Sequence, residues 1–313
     1  MRFCGNEICC GSYACLNAIK DKNLDPQLFE ITTSAPFGIR HFENVYFDRL
    51  LTTYRDPGKG MDAALRLWGY SAVRYEVRTV REAVEILKER LRDNRAVAGP
   101  IDMGSLGYQV MPRLLKRMDH YITLEYWSEE AVLCYDSEGF GGRLIRYEEL
   151  QDYISAEEVF EAEGVITLRF IRKSAEEYRR KDILETARAQ AFWNLRKAEE
   201  EGEGSGAILR CYDFLKDLDV YKWRIPLMYD IQYLMQRKWL MKVLSQNYRE
   251  VVKEQEGFWK EVDVIVDVQI RTAGEIYHKI WLGERIIKRE FEVLGACEKK
   301  LAGVDVRLEG DSK

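Results

Sequence analysis

Cys10, His120 and Asp136, far apart in the chain, are the residues whose types and settings could do chemistry. Cys10 opens the run Cys10-Gly11-Ser12-Tyr13-Ala14-Cys15-Leu16-Asn17-Ala18-Ile19, which reads as the first turns of a buried helix. His120 opens an apolar strand, Tyr121 to Trp127, and a second strand, Ala131 to Tyr135, ends on Asp136. A thiol with an ordinary pKa of about 8.5 is mostly protonated at neutral pH and needs a helix N-terminus or a base to become a thiolate. Position 10 offers the helix end and His120 the base. Asp136 would hold the other ring nitrogen of His120, so that the correct tautomer faces the sulfur. In chain order these are a nucleophile, a base and an orienting carboxylate.

The elements around them are arranged to suit. His120 to Asp136 reads as strand, tight turn at Ser128-Glu129-Glu130 and returning strand, so the hairpin's two ends lie side by side. Cys10 is preferred to its neighbour Cys9 because Gly11 and Ser12 follow it, small residues that let a substrate approach the helix end. An oxyanion hole would combine the backbone N–H of Cys10 with a side-chain donor from the preceding loop, where Asn6 is the nearest amide. Asp102 and Tyr108 follow a buried strand, where the walls of a site tend to lie, and are candidates for substrate contact. Gly139-Phe140-Gly141-Gly142 reads as a hairpin turn and not a phosphate loop, since no strand-to-helix context surrounds it.

Composition limits the alternatives. The 313 residues suggest two domains, and 46% hydrophobic content with 12% aromatics can fill their cores. A net charge of −5 and a pI near 5.6 argue against a nucleic-acid partner. No segment approaches the roughly 18 apolar residues of a membrane span, and no apolar stretch precedes Cys10, so a cytoplasmic location is expected. Seven cysteines, at positions 4, 9, 10, 15, 134, 211 and 297, form no disulfide framework. Cys4, Cys9, Cys10 and Cys15 lack the C-x2-C spacing of zinc ribbons, and His41 and His278 alone remain as spare imidazoles, so neither a metal nor another cofactor is expected. Cys15, Cys134, Cys211 and Cys297 read as small buried hydrophobes.

Along the chain, an α/β half precedes a helical half. The spacing predicts helices over Met61 to Leu67, Thr79 to Asn94 and Glu148 to Ile154, and strands over Val73 to Val77, Ala96 to Ile101, Leu144 to Tyr147 and Val165 to Ile171. Thr79, with Glu82 three residues on, reads as a helix cap. The period then changes. Helices are predicted from Ala175 to Glu201, Ala207 to Leu218, Pro226 to Lys253 and Phe258 to Leu301, with β-branched Val262 to Ile270 ambiguous. Glu201-Gly202-Glu203-Gly204-Ser205-Gly206 reads as a flexible hinge, and Pro226 sits where proline favours a helix start. The expected organisation is α+β, with a catalytic domain over 1–172 and an all-α domain over 173–313. Trp223, Trp239, Trp259 and Trp281 offer the second domain more aromatic surface than a small bundle buries easily, which points to a homodimer.

Six segments of residues 1–172 resemble the N-terminal domain of the butirosin biosynthesis protein H family, whose fold is related to papain. They are Cys10 to Ile19 with Asn17, the stretch Phe29 to Gly38, and Leu65 to Tyr70 with its Trp68-Gly69-Tyr70 turn. Gly99 to Tyr108, His120 before its strand, and Asp136 complete them. More faintly, Gln236 to Leu240 and Gly257-Phe258-Trp259 resemble the family's helical domain. Cys9 stands where the family often has histidine. The resemblance implies an acyltransferase of specialised-metabolite, antibiotic-type biosynthesis. An acyl group would pass from a carrier protein or other thioester to Cys10 and on to an amine, with His120 as base and Asp136 orienting it. A cysteine peptidase, amidase or thioesterase would use the same three residues and let water in, and a binding protein would keep the fold without turnover.

Overall fold

A computed structural model describes residues 9–41, 51–109, 112–138, 140–159, 162–174, 178–216 and 220–310, with backbone alone at 114, 140, 220–226 and 305–310. In chain order the helices and strands are α1 (Cys10–Ile19), α2 (Pro26–Thr33), β1 (Ile39–His41), β2 (Leu51–Thr53), α3 (Pro57–Leu67), β3 (Tyr70–Val77), α4 (Val80–Arg90) and β4 (Arg95–Asp102). There follow β5 (Asp119–Tyr126), β6 (Ala131–Asp136), β7 (Phe140–Arg146), α5 (Tyr147–Tyr153) and β8 (Ile166–Lys173). The helical region holds α6 (Arg180–Glu200), α7 (Ser205–Leu215), α8 (Val220–Val251), α9 (Glu256–Leu282) and α10 (Lys288–Gly310). The protein is therefore mixed α+β, a β-sheet domain followed by a helical region. Among the described residues no helix is long and apolar enough to cross a membrane.

The chain divides into two compact units, one of residues 1–29 and 61–177, the other of 30–60 and 178–313. This departs from the continuous division at 172, because residues 30–60 pack with the helices. Ile39 and Leu51 join the helical core around Ile231, Ile276 and Phe291. The Asn194 side chain donates to the Ser34 carbonyl (2.9 Å), and Arg237 Nη1 to that of Thr52 (3.1 Å). Part of this 30–60 segment forms the two-stranded antiparallel sheet β1–β2.

The first unit is built on a six-stranded antiparallel sheet in the order β3-β8-β4-β5-β6-β7. Alternation along the strands sends Ala96, Ala98, Ile122, Leu124, Val132, Cys134, Leu168 and Phe170 to one face. There they meet Ala83, Val84 and Leu87 of α4 and Leu150 of α5 in a single core. Thr79 caps α4 by accepting from the Glu82 amide (3.3 Å). The opposite face, with Tyr121, Thr123 and Arg95, carries α1. Phe140 to Gly142 belong to β7, with a register shift at Cys134/Tyr135, so the glycine-rich stretch is mostly strand and not turn.

In the helical unit one ambiguity resolves and three expectations give way. Val262 to Ile270 is helical, inside α9. Helix α8 begins at Val220, so Pro226 lies inside it and not at its start. The single helix expected over 258–301 is two, because Gly283 takes the left-handed conformation (φ +72°) and its N–H closes α9 on the Ile280 carbonyl. The supposed flexible hinge is an ordered turn. Gly202 and Gly204 have positive φ, Glu199 accepts from the Ser205 amide (2.9 Å) and hydroxyl (2.5 Å), and the Gly204 N–H donates to Ile39 O (2.8 Å). Of the four tryptophans read as a dimer surface, Trp259 is wholly buried, Trp239 and Trp281 are about half exposed, and the Trp223 side chain lies outside the described residues.

Candidate active site

His120 and Asp136 meet at one end of the sheet. His120 Nε2 lies 2.8 Å from Asp136 Oδ1, and both side chains are almost wholly removed from solvent, at 2% and 0% exposure. Strand pairing brings this about: Asp136 sits opposite Ile122, and His120 lies two residues earlier on β5 and so on the same face. Gly99, in the neighbouring strand β4, is fitted to that end. A Cβ there would come within 2.4 Å of Tyr121 Cδ1 and 2.6 Å of the His120 carbonyl oxygen, and φ is +155°. Gly99→Ala is therefore expected to push back the start of β5 and destabilise the protein by about 1–3 kcal/mol. Calorimetry checks it, and an unchanged melting temperature would contradict the close approach.

The carboxylate of Asp136 is held by four donors. Oδ1 accepts from His120 and from the backbone N–H of Glu138 (2.9 Å), and Oδ2 accepts from the Tyr108 hydroxyl (2.8 Å) and the Gln109 amide (3.1 Å). Burial pushes the Asp136 carboxyl up, but its hydrogen bond to His120, the charge of His120 and the Glu138 and Tyr108 donors outweigh burial and leave its pKa lowered. Burial pulls His120 down, and is outweighed in turn by the hydrogen bond and charge of Asp136 and by Glu138 and Asp119, so the imidazole pKa is raised. The pair is thus arranged to be charged. Nδ1 is the ring nitrogen that Asp136 does not engage.

Helix α1 runs along β5 in the same direction. Gly11 lies against Tyr121, where a Cβ would be 3.4 Å from Cδ2, and the Ala14 carbonyl accepts from Thr123 Oγ1 (2.6 Å). Farther on, the Asn17 carbonyl accepts from Arg95, and Lys20 pairs with Glu125 (2.6 Å). The first turn of α1, with Cys10, therefore lies at the His120 end of the strand. Its N-cap, Cys9, supplies no side-chain cap. Because Tyr121 and Thr123 face α1, alternation sets the His120 side chain on the other side of β5, with Ile122. Thiol and imidazole share the end of the strand and face it from either side.

The remaining thiols are poorly suited to attack. Burial pushes Cys15 and Cys134 up to about 12, and Cys211 well above its ordinary value; Cys297 is partly exposed, not the buried hydrophobe its sequence suggested, and is also raised by burial. Cys10 is partly exposed, while Cys9 is buried. Among the described residues no group of three or more His, Cys, Asp or Glu could hold a metal ion.

Both substrate-contact candidates make structural contacts within the fold. Asp102 Oδ1 accepts from the Gly104 and Arg117 amides, both at 2.8 Å, and so holds the chain at both of these points. Tyr108 is turned onto Asp136, with its ring edge-on to Tyr153 (6.1 Å) and under Arg143 (5.0 Å). Asn6 lies outside the described residues. Gln109 is the site residue that sequence reasoning missed, and no motif marks it: it reaches Asp136 because the short 3-10 turn after Asp102 folds the loop back over the sheet end.

No family model matches the chain. It is 31% identical over 122 residues to the uncharacterized protein YobF of Bacillus subtilis (strain 168), a match covering 38% of this chain and 38% of that protein. The chain thus aligns with well under half the length of that relative.

Proposed function

We propose that this protein is a papain-like cysteine-nucleophile acyltransferase, of the kind the butirosin biosynthesis protein H family represents. It would move an acyl group from a carrier-protein thioester to an amine in specialised-metabolite biosynthesis. The observation that carries the reading is the buried, doubly anchored His120–Asp136 pair at the end of the strand along which α1 starts with Cys10. In the first half-reaction Cys10 Sγ attacks the thioester carbonyl as its proton passes to His120 Nδ1. The bond from the carbonyl carbon to the donor sulfur breaks, and that sulfur leaves with the proton from His120. In the second, an amine attacks the acyl-Cys10, His120 takes its proton, and the proton returns to the Cys10 sulfur as the carbon–sulfur bond opens. Exchange of one thioester for another is close to thermoneutral, and amide formation draws the sequence forward. The first proton transfer needs the Cys10 thiol and the His120 ring, which the fold sets on opposite sides of β5, to come together around the end of that strand.

Intact-protein mass spectrometry after incubation with a panel of acyl thioesters tests the proposal. An adduct of acyl mass on the Cys10 peptide, discharged faster by amines than by water, is expected. Discharge to water alone would make the protein a thioesterase or amidase, and no adduct with any donor would sink the acyltransferase reading.

A further inference from the structure

Two neighbouring side chains of the chain between β4 and β5 hold the far oxygen of the orienting carboxylate. Tyr108 (2.8 Å) and Gln109 (3.1 Å) both donate to Asp136 Oδ2, while His120 and the Glu138 amide share Oδ1. We propose that Tyr108 and Gln109 are positioning residues that draw charge away from Asp136 and so keep His120 from becoming too strong a base. The regulation concerns the site proposed above, and its catalytic consequence rests on that reading.

The electrostatic sign follows from which state needs the donors more. When His120 is protonated, Asp136 is neutralised by a cation 2.8 Å away. When His120 loses its proton, the buried carboxylate stands without that partner, and the two loop donors are then worth most. Donors that favour the deprotonated state lower the imidazole pKa. Without them the imidazolium would persist to higher pH, leaving less neutral His120 to accept a proton from the incoming amine. The other groups facing His120 are Glu138 and Asp119, both acidic and both raising its pKa, while burial pulls it down; the loop donors would add to that downward pull through Asp136. Cys134 Sγ lies 3.7 Å from the Tyr108 hydroxyl and stays protonated, and Arg143 caps the Tyr108 ring.

The placement of Tyr108 has little slack. Tyr153 meets its ring edge-on, and Gly107 lies so close to Tyr153 that a Cβ would be 3.0 Å from Cε1. Ser105 Oγ ties the same loop to the Tyr153 carbonyl (2.6 Å). A hydroxyl fixed this firmly serves orientation and charge more than packing.

The test is an NMR titration of the imidazoles in the full-length protein, where three histidines make assignment simple, alongside the pH profile of acyl discharge to an amine. Tyr108→Phe and Gln109→Leu should each move the His120 titration to higher pH, and turnover at neutral pH should fall about tenfold and recover as pH rises. A purely structural role would lower turnover at every pH and leave the titration in place. A His120 titration that is unmoved or shifted downward in both variants would overturn the inference. A shifted titration in a protein that forms no acyl adduct would uphold the electrostatic claim while removing the proposed acyl transfer.

Discussion

Cys10→Ser is expected to abolish the acyl adduct, and His120→Ala to slow its formation by about 10³-fold or more. The size of the first effect follows from the state of the other thiols. Cys15 and Cys134, each pushed up to about 12 by burial, Cys211, pushed well above its ordinary value, and the partly exposed Cys297, also raised by burial, are poor thiolates. Cys9 is adjacent but buried, and its backbone serves as N-cap to α1, whereas Cys10 is partly exposed. The second effect follows from the removal of the imidazole that takes the thiol proton and returns it to the leaving sulfur. Limiting iodoacetamide with peptide mapping provides an independent check: Cys10 should label first at neutral pH. Preferential labelling of Cys9, or an adduct that survives in Cys10→Ser, would move the nucleophile elsewhere.

What the sequence disclosed was whatever depends on short spacing. The hairpin from His120 to Asp136 was legible because alternation, a polar turn and a returning apolar run fix its register locally, and Thr79 with Glu82 marked the start of α4 for the same reason. Asp136 could thus be paired with His120 before any coordinates, but its other two side-chain partners could not. Tyr108 and Gln109 reach it through a loop that Asp102 holds by accepting two backbone N–H groups, one of them Arg117, fifteen residues on. Long-range assembly was equally hidden. Nothing in the composition of residues 30–60 separates them from the flanking α/β pattern, yet Ile39 and Leu51 complete the helical core and Ser34 receives Asn194.

That packing changes how the two halves must be tested. A chain truncated after Arg172 would retain Ile39 and Leu51 while losing the helices that cover them, so its failure would say nothing about where the chemistry lies. Likewise the glycines at 202 and 204 looked like a linker because composition reports flexibility of the unfolded chain. The folded turn uses their positive φ to set Ser205 against Glu199. Gly283 is the converse case: one glycine within a long apolar periodicity is enough to end α9.

Asp136→Asn is expected to lower acyl transfer about 10²- to 10⁴-fold and to destabilise the protein by about 1–3 kcal/mol, with a loss of stability that depends on pH. An asparagine has one acceptor and one donor where four donors now converge. Its oxygen must face the Glu138 N–H, which cannot reverse, and its NH₂ must then face Tyr108 and Gln109, which can turn to accept. The fold survives with a rearranged network, but His120 loses the charge that holds its proton. Asp136, lowered from 3.8, stabilises the folded state above its unfolded pKa, and that contribution is lost as pH falls through the folded value. His120, raised from 6.5, stabilises the folded state fully below 6.5, and its contribution is lost as pH rises through the folded value. Both contributions are present together between about pH 4 and 6.5, so the wild-type and Asp136→Asn melting temperatures should differ most there and converge on either side. Thermal unfolding across that range decides the matter, since a difference that stayed constant with pH would mean that the pair is not charged in the folded protein.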